Sequence, residues 1–185
     1  MLFVVGVTGA SGSIYARRLL EELKRAGHDT LLLISDEAKN VIRLENEDLR
    51  RLTELATRTF SEHDLDSPAS SGSVKTAGMI VVPCSMKTVS YIAHGLSGNA
   101  ITRAADVTLK EHRPLILVPR ETPLNIIHLR NLLRVAQAGA TVLPAMPAFY
   151  MKPKSVDDMV NFVVGRILDI LNVPHNLLRR WGEDD

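Results

Sequence analysis

Arg103, Lys110, Arg120 and Glu121 stand on either side of one short apolar strand in the stretch RAADVTLKEHRPLILVPRETP. Three cations and a carboxylate near a strand's carboxyl end suit phosphate chemistry, because guanidinium and ammonium groups give charge-assisted hydrogen bonds to phosphate oxygens. Arg103 and Lys110 are seven residues apart, which places them two helical turns apart on one face, where both can reach the same anion. The same spacing also fits a plain amphipathic helix, with Asp106 pairing to either cation for little gain. Arg120-Glu121 directly follows the apolar run 115–118, and ligands of open α/β sheets bind just beyond the carboxyl ends of strands.

Strand-like and helix-like segments alternate along the chain and set where these residues fall. The run LFVVGV over 2–7 is continuously apolar, as in a strand buried on both faces, and leads through TGASGS into a helix over 14–26 that Gly27 ends. A second strand over 30–34 is followed by Ser35, an N-cap for a short helix toward Glu45. A third strand over 79–82 enters a helix through Pro83-Cys84-Ser85, and strands over 115–118 and 141–143 enclose a helix over 124–137. A last helix covers 156–171. Repeated βα units with buried strands predict a doubly wound parallel sheet, a Rossmann-like or flavodoxin-like three-layer α/β sandwich. Two irregular stretches, 61–73 and 144–155, are long enough to bind something or to be disordered.

The turn Gly6-Val7-Thr8-Gly9-Ala10-Ser11-Gly12 spaces its glycines as G-x-x-G-x-x-G, which suits a mononucleotide better than NAD. Its backbone can approach a ligand, and the following helix N-terminus offers N–H groups to a phosphate. Glycines that merely make a tight turn would read the same way. Ser85 and Thr88 supply hydroxyls at a second strand-to-helix turn, where plain capping is the alternative. Cys84 reads as a small buried hydrophobe, because no histidine is adjacent to activate it.

Composition narrows the function classes. A chain of 185 residues predicts one domain over 1–185 with a short C-terminal tail, burying roughly 70% of its unfolded surface. With 22 basic and 21 acidic side chains, the net charge of +1 gives no field for nucleic acid or an anionic membrane. One cysteine excludes an intrachain disulfide, and six scattered histidines give no zinc-type spacing. The expected location is cytoplasmic, in a reducing compartment.

The segments VTGASGSIYARRLL, PCSMKT, TRAADVTLKEHRPLILVPRETPL, PAFYMKP and PHNLLRRWG, in this order, closely resemble the UbiX/Pad flavin prenyltransferases. The resemblance implies reduced FMN as acceptor and dimethylallyl phosphate as donor, with the five-carbon unit joined to flavin N5 and C6 for use by a UbiD-type decarboxylase. It puts FMN on Gly9, Ala10, Ser11, Ser35, Ser85, Met86, Lys87, Thr88 and Arg120. It puts the donor on Arg103, Lys110, Glu121, Tyr150 and Arg166, with Glu45 near the flavin's reactive edge and Trp181 near the prenyl group. It further implies a homo-oligomer, a dodecamer, in which residues 70–73 reach a neighbour's donor. No DDxxD-type cluster is present, so metal-independent transfer is expected. A flavin-dependent cysteine decarboxylase shares the first glycine turn, but Lys87 replaces its asparagine and residues 69–77 contain no histidine. A non-catalytic FMN-binding regulatory subunit would not need every cation of the donor site, and direct decarboxylation of an aromatic acid would release carbon dioxide.

Overall fold

The computed structural model describes residues 1–178. Six strands, β1 (Leu2–Val7), β2 (Asp29–Ile34), β3 (Arg58–Ser61), β4 (Gly78–Cys84), β5 (Leu115–Pro119) and β6 (Thr141–Val142), form one sheet in the order β3-β2-β1-β4-β5-β6. Every pairing is parallel. Helices α1 (Ser13–Arg25), α2 (Asp36–Leu44), α3 (Leu49–Leu55) and α7 (Val156–Ile170) cover one face, and α4 (Met86–Ala93), α5 (Ala100–Lys110) and α6 (Ile126–Gln137) cover the other.

Alternation along the strands builds the two cores. Phe3, Val5 and Val7 of β1 point with Ile80 and Val82 toward α1 and α7, while Val4 points with Met79 and Val81 toward α4 and α5. Both faces are therefore apolar, which is why the central strands read as unbroken hydrophobic runs. On α1 the spacing of Ala16, Leu19, Leu20 and Leu23 gives one buried stripe, and Gly27, at φ 72, turns the chain into β2.

The structure adds α3 and β3, which the sequence pattern does not reveal. In α3 only Leu52 is buried, and β3 is a four-residue edge strand, RTFS, with no fully buried position. Neither carries enough periodicity to stand out. Strand β4 runs two residues past the expected end, through Pro83 to Cys84. Helix α6 starts at Ile126, two residues later than expected, because Asn125 caps it and accepts the His128 N–H at 2.8 Å.

Candidate active site at the carboxyl edge of the sheet

β1 and β4 are neighbours in the sheet, yet the helices that follow them leave on opposite faces, so a crevice opens between their carboxyl ends. Thr8 holds its two walls together. Its buried hydroxyl donates to the Pro83 carbonyl at 2.9 Å and accepts the Ser85 N–H at 2.7 Å, while its own N–H reaches the same carbonyl at 3.2 Å. Nothing local in the sequence distinguishes Thr8 from any polar turn residue. Thr8→Val keeps the shape but leaves the Ser85 amide unpaired, so we expect a loss of about 2 kcal/mol in urea unfolding.

Glu45 caps α2 from its C-terminal side and turns back onto α1. One carboxylate oxygen accepts Ser11 Oγ at 2.6 Å and Gly12 N–H at 2.7 Å, and the other accepts Ser13 N–H at 2.9 Å and Ser13 Oγ at 2.5 Å. Burial pushes this carboxyl up, but these donors outweigh it and hold it below the usual carboxylate range. The amides of Gly12 and Ser13 at the start of α1 are thus committed to an acid of this chain, where the glycine turn alone suggests a place for a ligand's phosphate. Gly9 is needed for packing as well, because a Cβ there would stand 2.5 Å from Glu37 Cβ.

The second turn has the open helix end. Ser85 accepts the Thr88 N–H at 3.3 Å and meets the Thr88 hydroxyl at 3.1 Å, whereas the Met86 and Lys87 amides have no hydrogen-bond partner among the described residues. Those two N–H groups, at the positive end of α4, can receive an anion. Met86 is buried and Lys87 exposed. Ser35 caps α2, accepting Ala38 N–H at 3.1 Å, and its own amide donates to Val7 O at 3.0 Å. Arg120 begins just past β5 with its N–H toward Cys84 O at 3.4 Å. Burial raises the Tyr15 hydroxyl pKa, and the nearby Arg120 charge opposes that shift. Glu121 is exposed and accepts the Thr122 N–H at 3.1 Å. Gly9, Ala10, Ser11, Ser35, Glu45, Ser85, Met86, Lys87, Thr88, Arg120 and Glu121 therefore gather at one edge.

The remaining candidates lie elsewhere on the chain. α5 starts at the carboxyl edge, where Ala100 N–H donates to Glu62 O at 2.8 Å, and ends at the amino edge, where β5 begins. Arg103 lies one turn from its start and pairs with Asp106 at 2.9 Å; Lys110 lies at its end and pairs with Glu111 at 2.5 Å. Strand β5 separates Lys110 from Arg120 by about 15 Å of rise. One chain does not bring Lys110 to the crevice. Arg113, beside Lys110, fastens the serine-rich loop by donating to the Gly72 and Val74 carbonyls at 2.9 and 2.7 Å. Tyr150 packs edge-on against Phe162 of α7, 6.3 Å between centroids. The segment before it is tied to β5 through Ala145 N–H and Pro119 O at 3.1 Å. Arg166, exposed on α7, pairs with Asp169 at 3.2 Å. Trp181 lies outside the described residues.

Cys84 is fully buried, and burial drives its thiol pKa far up, so it is a core residue and not a nucleophile. The fold brings Asp36, Glu62 and His63 together, which their spacing did not show, but these acids are engaged by Lys39, His63 and Asn99 at 2.8, 2.8 and 2.5 Å.

A parallel sheet of this order, with its open helix end and serine-lined turns at the switch point, defines a mononucleotide-binding α/β protein. The family model described as Flavoprotein matches residues 2–168. A protein of Methanocaldococcus jannaschii named flavin prenyltransferase UbiX is 51% identical over 183 residues, covering 98% of this chain and 99% of its own. The crystal structure of AnUbiX (PadA1) in complex with FMN and dimethylallyl pyrophosphate superposes with a TM-score of 0.96 at 42% identity, covering 100% of this chain and 98% of the other. That of a dodecameric FMN-dependent UbiX-like decarboxylase from Escherichia coli O157:H7 gives 0.95 at 45% identity, covering 98% and 99%. The chain belongs to the UbiX family of flavin prenyltransferases. Its doubly wound architecture is the one the strand pattern predicts, and the cysteine-decarboxylase alternative is not favoured. Among the described residues no helix is long and apolar enough to cross a membrane.

Proposed function

We propose that this chain moves the dimethylallyl group of dimethylallyl phosphate onto N5 and C6 of reduced FMN, and that the prenylated flavin goes to a UbiD-type decarboxylase. The observation that carries the reading is the division of labour at the switch point: α1 is closed by the Glu45 carboxylate, while α4 keeps two open amides beside Arg120. An anionic cofactor is repelled by the first helix end and attracted by the second. Ser85, Met86, Lys87, Thr88 and Arg120 would thus hold the anionic part of FMN, and Gly9, Ala10, Ser11 and Ser35 would hold the rest, with Glu45 near the flavin's reactive edge. Gly9 and Ser11 are exposed, which leaves that approach clear.

Reduced FMN supplies the electron-rich atoms that accept the five-carbon unit. The residues of this chain act on the donor. As the allylic C–O bond breaks, its electron pair leaves with the phosphate. Arg103, Lys110 and Arg166 take up that charge, each preorganised donor contributing roughly 3 to 4 kcal/mol. The Tyr150 ring faces the allylic cation at about 0.5 to 2 kcal/mol, Trp181 takes the prenyl group, and Glu121 exchanges a proton with the departing phosphate. Transfer needs no metal in this scheme.

A complete site calls for more than one copy. Lys110 and the loop fastened by Arg113 lie at the wrong edge to serve their own crevice. α6 leaves Ile126, Ile127, Leu129 and Leu133 between 48% and 62% exposed, an apolar face that asks for a cover. With the Escherichia coli relative dodecameric, we assign this chain the same assembly, built from one domain per subunit. A cytoplasmic setting suits its single buried thiol.

The test is anaerobic incubation with reduced FMN and dimethylallyl phosphate, followed by mass spectrometry of the flavin. A gain of one C5 unit is expected. Unchanged flavin overturns the reading, and it then matters whether FMN binds inertly, as in a regulatory subunit, or whether an aromatic acid loses carbon dioxide.

A further inference from the structure

Arg166 projects from α7 with its side chain 54% exposed, at the rim of a cavity of about 310 Å³ lined also by Thr141, Leu143, Pro144 and Phe162. One turn on, Asp169 Oδ2 accepts Arg166 Nη1 at 3.2 Å. The other oxygen of that carboxylate meets His175 Nε2 at 3.1 Å. His175 comes from the segment after α7, and its side chain is only 2% exposed. The Leu177 amide donates to His175 Nδ1 at 3.1 Å, so Nδ1 is an acceptor and Nε2 carries the proton that points at Asp169. The segment reaches α7 at a bare glycine: a Cβ on Gly165 would come within 2.5 Å of Leu178 Cγ and 3.1 Å of His175 Cε1.

We propose that His175 and Asp169 are a positioning pair for Arg166, which ties the aim of its guanidinium at the donor's phosphate to the seating of residues 173–178 on α7. The inference rests on the reading of Arg166 as a donor ligand. Arginine has five N–H donors, so one can stay on Asp169 while others meet phosphate oxygens. A side chain fixed in advance loses less rotamer freedom when it binds. Charge alone predicts the opposite: removing a carboxylate near an anion site should tighten anion binding. That difference in sign makes the idea testable.

Dimethylallyl monophosphate is titrated by calorimetry into protein carrying oxidised FMN, which cannot turn over. Asp169→Asn replaces one of the two acceptor oxygens that meet Arg166 and His175 with a donor, so one of these links fails; donor affinity should fall by about tenfold, with FMN affinity unchanged. His175→Ala should weaken the donor similarly, and His175→Gln, whose amide can replace the Nε2 donor, should restore most of it. In turnover, KM for the donor rises and kcat falls with it, because Arg166 also meets the charge that develops on the phosphate. Unchanged or tighter donor binding in Asp169→Asn overturns the pair, as does a His175→Gln variant no better than His175→Ala. If His175→Ala does not fold, Asp169→Asn decides alone. A wild-type protein that binds no donor overturns the functional reading itself, and the pair with it.

Discussion

Replacing Lys110 with alanine should leave FMN bound yet reduce prenyl transfer by about 100- to 1,000-fold, the loss typical of one preorganised donor to a developing negative charge. Replacing Arg120 with alanine should also abolish conversion, through loss of the flavin. Lys110 and Arg120 lie at opposite edges of their own sheet, so the two lesions fall on different chains at any one site. Subunits of the two variants, dissociated and reassembled together, should therefore regain activity. Random pairing across a heterologous interface leaves about one site in four with both residues intact. Rates of prenylated flavin formation before and after mixing measure this directly. No recovery, with mixed assemblies confirmed by mass, would mean that each chain works with its own Lys110. Loss of flavin from Lys110→Ala would instead mean that the division between flavin and donor subsites is drawn in the wrong place.

The same geometry explains which parts of the site were legible in the sequence. Residues that follow strands are the readable ones, because an apolar run ends visibly and the parallel topology puts its next residues at the carboxyl edge. Ser35, Ser85 and Arg120 are of this kind, and so are the caps that two of them make. Helical spacing groups Lys110 with Arg103, and the two do share a helix, but periodicity gives the face and not the edge of the sheet at which each residue emerges. The direction of α5 comes from Ala100 N–H reaching Glu62 O, next to the short edge strand β3. Residues 58–61 have no fully buried position and so no pattern to read. Thr8 and Asp169 act through partners 75 and 6 residues away, and the first of these links depends wholly on the strand order. The role of Glu45 as a cap on another helix was hidden for the same reason: its donors lie more than 30 residues earlier.

That role gives Glu45 a stability effect separable from any catalytic one. Four donors converge on its carboxylate: the amides of Gly12, the N-cap of α1, and of Ser13, its first residue, and two serine hydroxyls. In Glu45→Ala the amides of Gly12 and Ser13 lose their acceptor at a half-buried helix end, and the favourable charge at the positive end of the dipole is lost with it. We expect about 3 kcal/mol of destabilisation at pH 7. The sign of its pH dependence follows from the depressed pKa. A carboxyl bound less tightly to its proton in the folded chain than in the unfolded one, where the value is about 4.3, contributes stability above that pH and loses it as pH falls through the lower folded value. The gap between wild type and variant should thus be widest near neutrality and narrow below about pH 4. Urea unfolding of both proteins across pH 3 to 7 measures it. A gap that stays constant would show that the ionised carboxylate does not hold the helix end. Glu45→Gln keeps one acceptor without the charge, so its stability at pH 7 should fall between the two. If Glu45→Gln also converts flavin at the wild-type rate, the carboxylate serves the fold and takes no part in the proton traffic at the flavin's edge.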